Sequence, residues 1–174
     1  MEEEKPKLEQ MFEPQPEKKP YRKVAIVGTS DSMNLAPFGD ASWELWGVNN
    51  GYLKMPRATH WFELHTFSYE NGIWKRRGNE NFRGAKVEDY LRQLDSLKIP
   101  VYMQAKNPLI EKSEVFPFKE ILEEFQSTYQ VTTISWEIAF ALLQNVNELA
   151  VYGVDMATTN GPEKASIFGS ASVL

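Results

Sequence analysis

Lys23-Val24-Ala25-Ile26-Val27-Gly28 is the stretch whose reading sets the fold. Four apolar residues in a row, three of them β-branched, with no polar alternation, form the pattern of a strand buried on both faces, and Gly28 closes it. Moving outward, a second strand is expected over Trp43 to Val48, stopped by Asn49-Asn50-Gly51, and a third over Thr59 to Leu64. Phe67 to Gly84 is polar, aromatic and glycine-bearing and is expected to form a long loop or lid. A helix is predicted from about Lys86 to Leu97, with Val87, Tyr90, Leu91 and Leu94 on one face. Ile99 to Met103 reads as a strand, Phe118 to Phe125 as a short helix led by Pro117, and Ser135 to Asn145 as a helix apolar nearly all round. Thr132, Thr133 and Ser135 compete to cap that last helix. A final buried strand runs from Leu149 to Val154 and ends at Asp155. Strands alternating with helices imply crossover connections, hence an α/β fold with a mainly parallel sheet of about five strands.

The bulk composition narrows the function. With 174 residues the chain suits one domain, expected over 21–174. Residues 1–20 carry dense charge of both signs with Pro6, Pro14, Pro16 and Pro20, so a disordered tail is expected there. The chain has no Cys, which excludes disulfides, thiolate metal sites and cysteine nucleophiles and fits a reducing, cytoplasmic setting. A net charge of −5 argues against nucleic acid or an anionic membrane surface as the partner. No apolar run approaches the ~20 residues that cross a bilayer.

In an open parallel sheet, ligands bind beyond the carboxyl ends of the strands. Four segments are expected at that rim. The first is Gly28-Thr29-Ser30, where a glycine permits close backbone approach and the following amides and hydroxyls suit a phosphate; the alternative is a plain turn with Ser30 or Ser32 as cap. It lacks the later glycines of a P-loop or a dinucleotide fingerprint. The second is Asn49, for which a turn and a ligand contact to a base or sugar edge stand level. The third is Glu63 with His65, which flank Leu64 and so share a face in extended chain, giving a candidate acid–base pair in which His65 leads. With His60 and Asp155 in range, a divalent cation is conceivable there, although His60 falls on the opposite face of the strand. The fourth is Asp155, a carboxylate directly after an apolar strand, suited to a ribose hydroxyl, a cation or a turn cap. Thr132 and Thr133 add a helix N-terminus that can favour an anion as well as a cap. Lys75, Arg76 and Arg77 form a basic cluster in the expected lid, either a solvated face or a closure over phosphates that Arg57 and Arg83 could join.

Val24 to Ser30, Trp43 to Asn49, Trp61 to His65 and Tyr152 to Ala157 together resemble a family of small uncharacterised Rossmann-like proteins of tailed bacteriophages. The resemblance spans most of 21–157. More remotely, the layout is similar to bacterial lipooligosaccharide sialyltransferases and to hydroxymethylpterin diphosphokinase-like proteins. It implies a Rossmann-like three-layer sandwich and a nucleotide or nucleotide-sugar ligand held by Gly28 to Ser30, Asn49, Thr132 with Thr133, and Asp155. The protein would then be either a transferase of glycosyl or phosphoryl-containing groups or a non-catalytic module capturing a nucleotide-derived molecule. The sialyltransferases carry a catalytic His beyond the Gly-hydrophobic-Asp motif, and no His follows Asp155 here. The segment after Asp155 also departs from the phage pattern and reads as though a last helix stops short.

Overall fold

A computed structural model describes residues 20–126 and 132–154. Its centre is a sheet of six parallel strands: β1 (Lys23–Val27), β2 (Trp43–Val48), β3 (His60–Glu63), β8 (Val101–Met103), β9 (Ser113–Val115) and β10 (Glu148–Tyr152). The spatial order is β10-β1-β2-β3-β8-β9, so the chain builds outward from β1 and then returns to β1's other edge. This is the α/β Rossmann-like arrangement expected, with one strand more than the five read from sequence. The addition, β9, is a three-residue edge strand whose Ser-Glu-Val carries no usable periodicity.

Three helices cover the sheet, α1 (Val87–Ser96) on one face and α2 (Phe118–Phe125) with α3 (Thr133–Leu143) on the other. Alternation along the strands separates the two faces. Val24, Ile26, Trp46, Val48 and Phe62 pack toward α2 and α3, where Phe116 and Phe140 meet them. Ala25, Val27, Leu45, Trp61, Val101 and Met103 face the opposite layer, where Val87, Tyr90, Leu91 and Leu94 of α1 are buried as their spacing predicts. Burying one such side chain contributes about 1.5–3 kcal/mol, so these two clusters carry most of the stability.

The segment expected as a lid is instead ordered as strands: β4 (Phe67–Glu70) pairs with β5 (Ile73–Arg76), and β6 (Asn81–Phe82) with β7 (Ala85–Lys86). Three turns drive it, at Asn71-Gly72, Arg77-Gly78 and Arg83-Gly84, and in each both residues have positive φ. That backbone matches the right-handed twist of a tight hairpin. An Arg76–Asn79 bridge links the two hairpins. Phe67 then stacks on Tyr90 and Phe82 meets it edge-on, with ring centroids 6.5 and 4.8 Å away, and the two fix the unit to α1.

Because every strand of the main sheet is parallel, all carboxyl ends share one rim. The N-terminus of α3 opens at that rim, since its other end, at Gln144, bonds Arg22 just before β1. Among the described residues no helix is long and apolar enough to cross a membrane.

Candidate functional site

The central device at the rim is a buried carboxylate. Glu63, last residue of β3, is 0% exposed. Its oxygens take contacts from His65 Nδ1 at 2.5 Å, from Arg76 Nη2 at 3.2 and 3.3 Å, and from the Tyr90 hydroxyl. Arg76 Nη2 also lies 2.7 Å from His65 Nδ1. A guanidinium only donates and an ionised carboxylate only accepts, so Nδ1 cannot serve both. The shorter contact to the formal charge decides it: Nδ1 carries the proton and donates to Glu63.

Burial alone would raise the Glu63 pKa, but the bond from His65, the charge of Arg76 and the Tyr90 hydroxyl outweigh it and hold the carboxyl below its usual range. Burial, reinforced by the Glu63 charge and the bond to it, pushes the Tyr90 hydroxyl far up, so it stays a neutral donor. Arg76 is further seated over the Phe82 ring, 4.1 Å from its centroid. Glu63 is therefore saturated on all sides and acts on His65 rather than on a ligand. It fixes the ring and, in the neutral imidazole, the tautomer in which Nε2 is the accepting nitrogen. Nε2 makes no hydrogen bond among the described residues.

His65 stands at the edge of a cavity of about 490 Å³. Asn49, Thr132 and Thr133 line the same cavity, as do Arg77 and Gln104. Four residues singled out in the sequence, from three separate segments, thus meet in one place. Asn49 makes the turn and also lines the cavity. Its φ of 49° makes the turn, its backbone N–H donates to Phe62 O at 3.1 Å and its carbonyl accepts from Trp61 Nε1 at 3.0 Å. Its side-chain Oδ1 is buried and has no hydrogen-bond partner among the described residues.

Thr132 is the cap of α3. Its Oγ1 accepts from Ser135 N–H at 3.1 Å, and Ser135 Oγ accepts from Thr132 N–H at 3.1 Å. This reciprocal pair satisfies two donors and leaves the amides of Thr133 and Ile134, at the first two helical positions, without intrahelical acceptors. Both residues line the cavity, so the positive end of the α3 dipole faces it.

Gly28, Thr29 and Ser30 are not among the residues lining this cavity. The glycine is needed at 28 because a Cβ there would stand 2.3 Å from the Gly153 carbonyl, so the close approach is to β10's extension. Ser30 N–H donates to Gly153 O at 3.0 Å, and Ser32 Oγ accepts from Gly153 N–H at 3.1 Å. The element that follows is a five-residue 3-10 turn, Asp31–Leu35, rather than an α-helix. The Thr29 methyl lies near Gly51. Asp155 lies outside the described residues.

The basic cluster splits three ways. Lys75 pairs with Glu70 at 3.1 Å, Arg76 turns inward to Glu63, and Arg77 alone reaches the cavity. Arg57 bonds the carbonyls of Phe38, Asp40 and Trp43 and is structural. His60 sits apart from the site, 3.7 Å from Glu44 and stacked on Tyr102, and burial lowers its pKa. Among the described residues no group of three or more His, Asp or Glu is placed to hold a metal ion. Gln104 is the residue missed. It directly follows β8, where the strand-end rule finds it, and it is anchored by its Nε2 to Leu64 O at 2.9 Å and by Thr66 Oγ1 at 3.1 Å.

The sequence singles out one rim and the structure gathers Asn49, His65, Thr132 and Thr133 there. Comparison with family models, with curated proteins and with solved structures finds no match to this chain.

Proposed function

We propose that the cavity binds a nucleotide-type small molecule, a nucleotide or nucleotide-sugar, and that His65 Nε2 accepts a proton from a hydroxyl during group transfer. The observation that carries this reading is the joint placement of an oriented imidazole, an open Asn49 acceptor and a capped helix N-terminus around one cavity. Free amides at Thr133 and Ile134 with Arg77 suit phosphate oxygens. Asn49 Oδ1 suits a donor on a base or sugar. Glu63 orients His65 and stabilises the imidazolium that forms, the part a carboxylate plays beside a catalytic histidine.

A second reading is capture without turnover. It is favoured by the lining itself, which among the described residues holds no carboxylate and no imidazole besides His65.

Mass spectrometry of small molecules carried through purification, followed by thermal unfolding against a nucleotide and nucleotide-sugar panel, tests the binding. A ligand at a hundred times its Kd adds about 2.7 kcal/mol. Silence across the panel removes both readings. For the enzyme, His65→Ala abolishes turnover and leaves affinity within about tenfold, or ~1.4 kcal/mol. A parent protein that binds its ligand and never converts it establishes the capture reading.

A further inference from the structure

A second hollow opens on the other side of His65. Its volume is about 360 Å³, and it shares His65 and Gln104 with the first. Both volumes lie in or near the range of small-molecule sites. One wall comes from the β4–β5 hairpin and the other from the chain after β8.

The hairpin wall is aromatic. Tyr69 and Trp74 are cross-strand partners, with ring centroids 5.2 Å apart and planes inclined at 44°. Tyr69 is 61% exposed, an apolar ring face turned to solvent beside the hollow. The opposite wall is built around Asn107, which is only 4% exposed. Its Oδ1 accepts from Leu109 N–H at 3.0 Å, its own N–H donates to Ser113 Oγ at 3.0 Å, and its carbonyl accepts from that hydroxyl at 3.2 Å. Its Nδ2 makes no hydrogen bond among the described residues. With Oδ1 turned to the loop, the amide N–H₂ is the part of the side chain left to the hollow, a donor pair held in place by the loop's own hydrogen bonds.

The chemistry selects the ligand. Among the described residues no carboxylate lines this hollow. Of the described residues that line it, Lys106 carries the formal charge, and it lies 3.8 Å from Glu114. An aromatic face opposite amide donors suits a pyranose, whose axial C–H face packs on a ring while its equatorial hydroxyls meet amides.

We propose that the second hollow binds a pyranose sugar beside the ligand of the first, with His65 at their junction. This rests on the reading of the first cavity given above, and it identifies the hydroxyl that His65 would face as a sugar hydroxyl.

The test is saturation-transfer NMR on the whole chain with the methyl glycosides of glucose, galactose, mannose and N-acetylglucosamine. Each is measured with and without the nucleotide that shifts the melting temperature most. At least one glycoside is expected to give a saturable signal, weakened fivefold or more by Tyr69→Ala. Tyr69→Leu, which keeps apolar bulk and loses the ring face, is expected to weaken it similarly. Tyr69 is exposed, so both variants should melt with the parent and respond to nucleotide as it does. Glycosides silent while nucleotides still shift the melting temperature overturn the sugar site alone. A glycoside signal untouched by both variants also overturns it, since the sugar then sits elsewhere. Sugar binding without any nucleotide response keeps this site and removes the reading of the first cavity.

Discussion

Two glutamates with the same burial divide the molecule into contrasting regions. Glu63 and Glu137 are each 0% exposed, one ending β3 and the other in the second turn of α3. Glu63 receives bonds from His65, Arg76 and Tyr90, whereas both oxygens of Glu137 are buried without a partner among the described residues. The consequences are opposite in sign. Glu63 stays ionised below the ordinary carboxylate range, while burial drives Glu137 well above it, so Glu137 is a neutral acid. Burial by itself therefore says nothing about charge; the donors within reach decide it. Glu137 lies three and four residues after Ile134 and Thr133, on the helix face that carries them to the first cavity. The two regions thus flank one site, the first stiffened by charge pairing and the second held by apolar packing at an electrostatic cost.

The contrast breaks most visibly at Glu63. Glu63→Ala strands the Arg76 guanidinium, itself nearly buried, and is expected to cost about 3–5 kcal/mol in denaturant unfolding. A loss below 1 kcal/mol would mean the network is not a stabilising unit. Glu137 should answer in the other direction. Glu137→Met removes an unpaired polar group at similar length, and a gain of about 1–3 kcal/mol in the same assay is expected. A clear loss of stability would show that the carboxyl has a partner in solution.

Acidity sharpens the comparison further. The folded chain keeps a proton on Glu137 that the unfolded chain releases near the ordinary 4.5, so stability declines as pH rises above that value toward the elevated folded pKa. Glu63 behaves inversely: its folded pKa is below 4.5, so its contribution is complete above that value and is lost as pH falls through the folded one. Glu137→Gln should flatten the decline on the alkaline side by up to about 1.4 kcal/mol per pH unit. It should leave the acid limb unchanged. Stability curves for parent and variant from pH 3 to 8 measure both limbs.

Much of this architecture is legible locally. The apolar run at Val24 to Val27, the facing set of Val87, Tyr90, Leu91 and Leu94, and the cap at Thr132 all express neighbour-to-neighbour rules of period and hydrogen bonding. The small strands of 67–86 were legible too, through their dipeptide turns six residues apart, but aromatic and polar composition hides them under the appearance of a loop. β9 was not, because three residues at a sheet edge are held by Val101 to Met103 and not by their own pattern. For the site, Glu63 with His65 followed from alternation, while the identities of their partners did not. Arg76 and Tyr90 are 13 and 27 residues from Glu63 along the chain, and only packing of the hairpins on α1 brings them to it.

The chain by itself determined a parallel α/β sheet and the rim on which its polar residues collect, since strand and helix periods are local properties that side-chain order alone can express. Only the tertiary structure decided which charges are satisfied. It turned Glu63 from a candidate base into the anchor of His65, tied Gly28 to Gly153, sent three adjacent basic residues in three directions and left Glu137 without a donor. Whether a buried group is paired depends on atoms remote in sequence, and their distances exist only once the sheet and its two helical layers have closed.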